Sequence, residues 1–501
     1  MSLDPRTPVL VGVGQVDQRD GALEPVDLLA AAAREAERDS GGSGLLKSLD
    51  SVQVVRMLSW RYRDPGALVA ERVGASPRHT GYTADGGNNP QALLNRAALD
   101  IAAGRADVVL IGGAEAWRTR MRLRANGERP AWTVQEETVP AASPLGSQGP
   151  LLGQGEKRIG LEPPSWVYPL FEQAHRIAAG RSVAEQMRRS AELWAGFSRV
   201  AAGHPHAWIR REHTAEEILT PSDSNRWIAW PYTKLMNSNN MVEQGAALLL
   251  CSVRAARLYG VPSERWVFPL AGAEAHDTHE LGERGALHRS PAIRIAGRRA
   301  LELAGTDVGA LDLVDVYSCF PSAVQVAAKE LGLAIDDPAR PLTVTGGLTF
   351  AGGPWNNYVS HSIATMAARL RSAPGSVGLV TANGGYLTKH AMGVYGTEPP
   401  AAGFRAPDVQ AEVDREPRVR ALTQWEGTGS LEAWTVVHDR EGLPERAFLS
   451  VRAPDGGRTL AICRQADELA EMARSELAGV KVRVALDGTA RLEDGADPGG
   501  A

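Results

Sequence analysis

Cysteine is scarce in this chain, and long apolar runs are missing from it. The three cysteines among 501 residues, Cys251, Cys319 and Cys463, are odd in number and far apart. We therefore expect free thiols in a reducing cytoplasm rather than a disulfide framework. No apolar stretch reaches the roughly 18 residues that a membrane span needs. The first residues lack the basic and apolar regions of a signal peptide, so we expect a cytoplasmic protein.

Several nucleotide-binding and catalytic motifs are also missing. Residues 12–14 (Gly-Val-Gly) lack the third glycine and the acidic residue of a dinucleotide fingerprint, and no Gly-x-Ser-x-Gly elbow or phosphate-binding loop occurs. Residues 276–280 (His-Asp-Thr-His-Glu) have the composition of a metal site, but they lie in a predicted loop without a second cluster, which indicates loop polarity. The net charge of -5 gives no reason to expect nucleic acid, although a local basic patch would still suit cofactor phosphates. We expect no metal and no permanently bound cofactor.

What the sequence does contain is a loose internal repeat. The first part predicts strands at residues 9–13, 51–55, 79–84 and 107–111, and helices at residues 26–38, 67–73 and 90–103. The second part predicts strands at residues 266–271, 313–316 and 377–381, and helices starting at Pro291 (with Ser290 as N-cap and Gly305 at the end), at residues 322–331 and at residues 356–370. Two halves, 1–255 and 256–400, thus repeat at an offset of about 270 residues, which is typical of a duplicated domain. Alternating strands and helices predict an α/β fold of layered sheets.

Two regions depart from this repeat. Residues of about 118–255, rich in Trp, Arg and His, are predicted to be an inserted loop domain that hangs over one end of the first half. Residues 401–417 read as a charged linker. Residues 418–494 predict a small β-rich domain of barrel or OB type, with strands at 418–425, 432–438, 447–453 and 459–464 and a helix at 466–477. Residues 495–501 are predicted to be a disordered tail.

Three neighbouring segments carry a family resemblance. Residues 86–94 (Gly-Gly-Asn-Asn-Pro-Gln-Ala-Leu-Leu), residues 101–104 (Ile-Ala-Ala-Gly) and the strand that ends in residues 112–115 (Gly-Gly-Ala-Glu) are similar to the nucleophile region of thiolases. Residues 1 to about 400 resemble the thiolase superfamily, most closely its sterol-carrier-protein-thiolase-like branch in the acetyl-CoA acetyltransferase family. The β-rich extension resembles the added domain of the mycobacterial thiolase-like type 1 group. The resemblance implies a duplicated thiolase fold, two βαβαβαββ halves in layers α-β-α-β-α.

The same resemblance implies a thioester site whose sulfur chemistry is missing. The acyl-accepting cysteine of thiolases falls on Gly87, and the histidine of the Gly-His-Pro motif that activates it falls on Gly353. A glycine has no side chain to acylate, so cysteine-dependent thiolase activity is expected to be absent or very low. Gly87 is interpreted as a tight strand-to-helix turn, and the alternative is a site opened for another group.

The remaining parts of a thiolase site are only partly matched. Residues 317–320 (Tyr-Ser-Cys-Phe) correspond to the oxyanion-hole segment, so Tyr317 replaces its Asn or His, and Cys319 is interpreted as a packing residue. The segment of the second thiolase cysteine has none here, and it offers Tyr386, Lys389 and His390 instead. Tyr317, Tyr386 and His390 are the candidate catalytic residues.

A further segment is similar to the loop that lines the pantetheine channel of thiolases. It contains Lys234, Ser238, Asn239 and Asn240, whose polar groups are candidates for binding coenzyme A. The alternative is a polar loop before a buried strand. The inserted region adds candidates that would flank the nucleotide of coenzyme A: Trp166, Tyr168, His175 and Arg176.

Three functions remain open from the sequence. The first is a thiolase-like protein that binds acyl-CoA in lipid, fatty-acid or sterol metabolism. The second is a lyase that cleaves CoA thioesters of sterol side chains by a retro-aldol reaction, with Tyr317 and Tyr386 moving protons. The third is a non-catalytic binder of acyl-CoA or lipid. Thiolases usually dimerise through their core sheets, and the extra domain is a possible obstacle to that contact, so both a homodimer and a monomer are possible.

Overall fold

The computed structural model describes residues 3–21, 23–147 and 149–493, so the predicted tail at 495–501 lies outside the described residues. The strands are β1 (Pro8–Asp17), β2 (Ser51–Val54), β3 (His79–Thr83), β4 (Val108–Ala116), β5 (Ser143–Leu145), β6 (Trp227–Trp230), β7 (Tyr232–Thr233), β8 (Glu243–Ser252), β9 (Phe268–His276), β10 (Leu313–Asp315), β11 (Val377–Gly384), β12 (Lys389–Gly396), β13 (Gly427–His438), β14 (Pro444–Arg452), β15 (Arg458–Cys463), β16 (Lys481–Val484) and β17 (Ala490–Leu492). The α-helices are α1 (Pro25–Ser40), α2 (Pro65–Val73), α3 (Asn89–Ala102), α4 (Trp117–Ala125), α5 (Gln154–Ile159), α6 (Pro164–Ala178), α7 (Val183–Ala202), α8 (Ala215–Leu219), α9 (Val253–Leu258), α10 (Pro291–Ala304), α11 (Pro321–Leu331), α12 (Gly347–Phe350), α13 (Tyr358–Ser372), α14 (Gln410–Val413) and α15 (Ala466–Met472). Within these ranges no helix is both long enough and apolar enough to cross a membrane.

Two sheets of matching topology confirm the predicted duplication. The first sheet has the order β1-β8-β4-β2-β3-β5, and the second has the order β10-β11-β12-β9. In the first, β8 is antiparallel to both β1 and β4, while β4 and β2 are parallel. In the second, β12 is antiparallel to both β9 and β11, while β11 and β10 are parallel. Strands β9, β12, β11 and β10 therefore repeat β1, β8, β4 and β2.

Helices cover both faces of each sheet and complete five layers. Helices α3 and α13 pack between the two sheets, α1 packs on the outer face of the first sheet, and α10 packs on the outer face of the second. Every residue of β4, β8 and β12 is consequently buried, as expected for strands covered on both faces. The predicted ends of α10 are confirmed: the Ser290 side chain accepts from the backbone N–H of Ile293, and Gly305 adopts a left-handed φ of 70°.

The β-rich C-terminal region forms a third sheet that includes strands of the inserted region. Its order is β15-β14-β13-β16-β17, and β6 adds to β13 through the pairs Val436–Trp230 and Val437–Ala229. The strand predicted at residues 418–425 is wrong, since this segment forms a single bridge at Ala421. The backbone hydrogen bonds of this segment go to two different partners. Val419 N–H donates to Glu283 O at 3.0 Å, and Leu422 N–H donates to Arg458 O at 2.8 Å.

The segment predicted as a linker, residues 401–417, lies against the second half. It contains α14, and Val409 N–H donates to Glu274 O of β9 at 3.2 Å. Glu412 binds two arginines of α10, Arg298 at 3.1 Å and Arg299 at 2.9 Å. These contacts hold the start of the C-terminal region on the outer face of the second half.

Arg458 is the main polar contact between the third sheet and the second half. Its side chain is 0% exposed and donates to both carboxylate oxygens of Glu432, at 2.7 and 2.9 Å. It also donates to the backbone carbonyl of Leu281 at 3.1 Å and to that of Arg284. Burial opposes ionisation of Glu432, but Arg458 and Arg452 outweigh it and lower its pKa to about 2. A buried charge is therefore fully paired at this junction.

We expect Arg458→Met to lower the free energy of unfolding by about 3–5 kcal/mol, because it leaves the Glu432 carboxylate without its main buried partner. Chemical denaturation at neutral pH measures this loss. Because the folded pKa of Glu432 lies below its usual value of 4.5, the stabilisation is present above that pH and is lost as the pH falls toward 2. Arg420→Met, which breaks an exposed pair with Asp455, serves as control and should behave like the wild type. Equal effects of the two changes would contradict the assignment.

Candidate active site

The segments that resemble a thiolase site meet at the ends of the central strands, between the two sheets. Gly86 N–H, just before α3, donates to Asn356 Oδ1 at 2.9 Å. Asn383 Nδ2, at the end of β11, lies 3.8 Å from Cys319 Sγ. Strands β10 and β11 are parallel, and Asp315 at the end of β10 pairs with Val380, so the residues that follow β10 run beside the last residues of β11. The structure therefore brings together residues 86–88, 317–320, 353–357 and 383–387.

Gly87 has no room for a side chain. A Cβ added there would lie 2.6 Å from the backbone oxygen of Asn383 and 2.9 Å from Cζ of Tyr317, and closer still to the Tyr317 hydroxyl oxygen. Real Cβ atoms essentially never make such contacts. The Tyr317 side chain thus fills the space that a residue other than glycine would need at position 87.

Tyr317 is held in this position by its neighbours. Its backbone N–H donates to Thr381 Oγ1 at 2.9 Å, and its ring packs edge-on against Tyr358 with centroids 5.6 Å apart. Burial, with a smaller effect from Cys319, raises the pKa of Tyr317 well above the usual value for a phenol. Tyr317 therefore remains a neutral hydroxyl at physiological pH.

Gly353 differs from Gly87 because a Cβ fits there. An added Cβ would be 3.4 Å from Ser238 Cβ, from Asn239 O and from Leu348 O, which are ordinary contact distances. The turn around it is strained at Trp355, a residue other than glycine with φ of 48°. Such a conformation costs on the order of 1–3 kcal/mol and persists only where the surroundings impose it.

Tyr168 of the inserted region also belongs to this cluster. The sequence does not indicate this, because Tyr168 lies far along the chain from the other members. Its hydroxyl donates to Gly385 O at 3.0 Å and accepts from Asn383 Nδ2 at 2.8 Å. Its ring stacks on Phe320 with centroids 4.4 Å apart. The sequence predicts Tyr168 and Arg176 beside the nucleotide of coenzyme A. In the structure Tyr168 is buried in the cluster, and Arg176 pairs with Glu476 at 2.5 Å. The apolar pattern of α6 predicts a buried helix face, but it does not predict which residues Tyr168 and Arg176 contact.

Cys319 is a thiol in the cluster, but its environment suppresses nucleophilic attack. Burial raises its pKa to about 12, and hydrogen bonds from Tyr168 and Asn383 only partly oppose this. Because the thiolate is the attacking species, Cys319 is almost entirely in the unreactive form near pH 7. It is 7% exposed, and its own backbone oxygen accepts from Ser238 Oγ at 2.9 Å.

The side chains of the other two predicted catalytic residues have polar partners outside the cluster. The Tyr386 hydroxyl donates to the backbone oxygen of Glu162 in the inserted region. His390 Nε2 lies 3.6 Å from Asp277 Oδ2 and 3.4 Å from Ser290 Oγ. Burial opposes ionisation of Asp277, but Arg284 and His390 keep its pKa below the usual value.

One small cavity does connect His390 with Tyr317. It is also lined by Asn383 and has a volume of about 10 Å³. That is barely enough for one water molecule, so the cluster is nearly solid as it stands.

The predicted coenzyme A loop lies on the open side of the cluster. Lys234 is exposed, residues 237–240 are partly exposed, and Met241 is 47% exposed. Gly353 N–H donates to Asn239 O at 2.9 Å, so this loop touches the strained turn as well as Cys319. The loop therefore connects solvent-exposed side chains to the cluster through these two hydrogen bonds.

The histidine-rich run at residues 276–280 does not assemble a metal site. His276 and His279 stack with ring centroids 4.7 Å apart, while Asp277 binds Arg284 at 3.1 Å. Among the described residues, no three His, Cys, Asp or Glu side chains are placed to hold one metal ion.

Comparison with known proteins identifies the relatives of this arrangement. Residues 408–489 match the family model of the thiolase-like protein type 1 additional C-terminal domain. A monomeric SCP2-thiolase-like protein type 1 from Mycobacterium smegmatis is 35% identical, with a TM-score of 0.84 over 98% of this chain and 100% of that one. An acetyl-CoA acetyltransferase from Methanothermobacter thermautotrophicus is 24% identical over 74% of this chain and 92% of its own length. The Ltp2-ChsH2(DUF35) aldolase, 18% identical with a TM-score of 0.59 over 78% of this chain and 98% of that one, shares the fold.

We expect Gly87→Ala to lower the free energy of unfolding by about 1–3 kcal/mol or more, because the added Cβ overlaps Tyr317 and the Asn383 carbonyl. Thermal and chemical denaturation measure the loss. The double change with Tyr317→Phe should recover part of it, since only the hydroxyl contact is relieved. Gly353→Ala should stay close to the wild type. Gly196→Ala, in the open middle of α7, should stabilise the protein by about 0.5–1 kcal/mol. A stable Gly87→Ala protein would contradict the packing at this position.

The thiols provide a second test. All three cysteines are buried, and burial raises the pKa of each, to about 12 for Cys319 and Cys463. A thiol reagent such as iodoacetamide should therefore label none of them in the native protein at pH 7.5, and all three after denaturation. Rapid labelling of native Cys319 would show a reactive thiol in the cluster and contradict its assignment as a packing residue.

Proposed function

This chain belongs to the SCP2-thiolase-like protein type 1 family, and we propose that it binds coenzyme A thioesters in the thiolase-type cleft without forming an acyl-enzyme. The observation that supports this most directly is the filled space beside Gly87. An acyl-enzyme needs a nucleophilic side chain at the start of α3, where helix amides would stabilise a thiolate. The contacts of Gly87 exclude any such side chain without rearrangement of Tyr317.

No other group in the cluster replaces the missing nucleophile. The Cys319 thiol stays protonated, since its pKa is about 12. Gly353 supplies no base, and His390 is enclosed by Asp277 and Ser290. Without a nucleophile and its base, the covalent half-reactions of a thiolase have no route through this site.

Thioester binding needs fewer features, and the loop from Ser238 to Met241 supports it. Its side chains are partly or fully exposed, its Asn239 backbone oxygen accepts from Gly353 N–H, and its Ser238 hydroxyl donates to Cys319 O. Polar groups of Asn239 and Asn240 would bind the amides of a pantetheine arm that enters here. The buried oxygen Asn237 Oδ1 has no hydrogen-bond partner among the described residues and is a further acceptor in the same loop.

The lyase alternative is less well supported. A retro-aldol reaction needs a group that exchanges a proton with the substrate, and both candidate tyrosines are poorly suited. Burial raises the pKa of Tyr317 and of Tyr386 well above the usual value, and the Tyr386 hydroxyl is bound to a backbone carbonyl. The likeness to the aldolase extends to the fold alone.

We also propose a monomer of the cytoplasm. The Mycobacterium smegmatis relative is described as monomeric, and the three free, buried cysteines suit a reducing compartment.

The decisive experiment measures binding and turnover in the same preparation. Calorimetric titration with acetyl-CoA and acetoacetyl-CoA should show binding, while thiolysis of acetoacetyl-CoA stays at the uncatalysed rate and intact-protein mass spectrometry shows no acyl adduct. Asn240→Ala should raise the Kd about three- to tenfold, the value of one or two hydrogen bonds. Asn126→Ala, an exposed asparagine after α4, is the matched control. An acyl adduct on any residue, or brisk thiolysis, would refute the proposal.

A further inference from the structure

Four arginines from three separate segments lie near one another on an exposed surface: Arg19 and Arg118 contact Trp208, Arg210 is two residues after it, and Arg122 lies beside Gly21, two residues after Arg19. Arg19 follows β1, Arg118 and Arg122 lie on α4, and Arg210 follows α7 by a short loop. All four are exposed, whereas Trp208 is partly buried. We refer to Arg19, Arg118, Arg122 and Arg210 as the arginine surface.

The arginine surface forms no salt bridge with a carboxylate of the described residues. None of its four guanidinium groups has an Asp or Glu oxygen within 4.0 Å among the described residues, although many other arginines of the chain do. Helix α4 contains no acidic residue. The carboxylate that most attracts Arg19 is Asp17, which already binds His206 at 2.9 Å and Gln244 at 3.0 Å.

The arginines also repel one another. Partial burial of Arg19 lowers its pKa, and the charges of Arg210 and Arg118 lower it further. Unpaired like charges that the fold holds together are a cost in the absence of a partner, and a bound anion would relieve that cost.

Two of these side chains are fixed in place before any ligand arrives. The Arg19 guanidinium lies 3.6 Å from the centroid of the Trp208 ring and donates to Trp208 O at 3.0 Å. Arg118 Nη1 donates to Arg19 O at 3.1 Å, and its guanidinium is 6.0 Å from the same ring. Because these groups are already ordered, less side-chain entropy is lost when they bind.

The surface lies on the solvent side of the candidate active site. Trp208 N–H donates to Ala351 O at 2.9 Å, directly before Gly352 and Gly353. Trp117, at the start of α4, packs on Trp355 with ring centroids 4.9 Å apart. The arginine surface therefore flanks the same strained turn that the loop at residues 237–241 touches.

We propose that the arginine surface is a binding site for phosphate-bearing anions. Guanidinium groups bind phosphate through paired N–H donors, and ordered, unpaired arginines are the arrangement that such a site requires. Two sources of phosphate fit: the nucleotide end of a coenzyme A ligand whose thioester points into the cleft, and a free phosphorylated small molecule. Only the first source rests on the proposed function.

Titration calorimetry with four ligands distinguishes the sources: coenzyme A, dephospho-coenzyme A, pantetheine and inorganic pyrophosphate. In the Arg118→Gln/Arg210→Gln double variant we expect the Kd of coenzyme A and of pyrophosphate to rise about tenfold or more, while that of pantetheine is unchanged. Both affinities should fall as the NaCl concentration rises. Arg474→Gln, an exposed arginine on the third-sheet side, is the matched control, and unchanged melting temperatures verify that all variants are folded.

Each outcome decides between the alternatives. Loss of coenzyme A and pyrophosphate binding in the double variant supports the site and the nucleotide as its ligand. Pyrophosphate binding that depends on these arginines, in a wild-type protein that ignores coenzyme A, supports the anion site and refutes the proposed function. Equal binding of both coenzyme A and pyrophosphate by the wild type and the double variant overturns the site and leaves the proposed function standing. Equal coenzyme A binding with weaker pyrophosphate binding in the double variant supports the anion site and assigns it to a free phosphorylated molecule. A wild-type protein that binds neither coenzyme A nor pyrophosphate overturns both.

Discussion

The close approach of Tyr317 and the Asn383 backbone to Gly87 is the constraint on which the interpretation of this protein depends. It brings the start of α3 against the ends of β10 and β11, where the two halves of the fold meet. In a thiolase that position carries the reactive sulfur. In this chain the phenol of Tyr317 occupies the volume that a side chain at position 87 would need. The packing of the two halves against each other therefore excludes the nucleophile. The change is therefore built into the core and is more than a surface substitution.

Tyr168 and Arg458 extend this coupling to the rest of the chain. Tyr168 belongs to the inserted region, and its hydroxyl forms hydrogen bonds with the backbone of the turn between β11 and β12. Arg458 joins the third sheet to the loop after β9, and β6 of the inserted region completes that sheet beside β13. Insertion, second half and C-terminal sheet are thus linked by buried polar contacts, which are costly to break once one partner is removed. The loop at residues 237–241 and the arginine surface, in contrast, face the solvent. Both lie beside the turn at Gly353.

Most helices and strands of the two halves could be predicted from the sequence because their signals are local. Ser290, Pro291 and Gly305 mark the ends of α10 within one helical segment, and the apolar runs of β4 and β11 are short and bounded. The prediction at residues 418–425 failed because alternation of apolar residues does not show whether a neighbouring strand is free to pair. The pairing of β6 with β13 was missed for a related reason, since strands distant in the chain carry no shared pattern.

The sequence by itself determined the α/β repeat, the family resemblance and the absence of cysteine and histidine at positions 87 and 353. Those properties depend on residue identity and on short-range periodicity, which a single chain displays directly. Only the tertiary structure decided that Gly87 lacks room while Gly353 has it, that the side chains of Tyr386 and His390 have partners outside the cluster, and that the arginine surface forms. The reason is that space, desolvation and charge balance arise between residues far apart in the chain, and they exist only after those residues have been packed together.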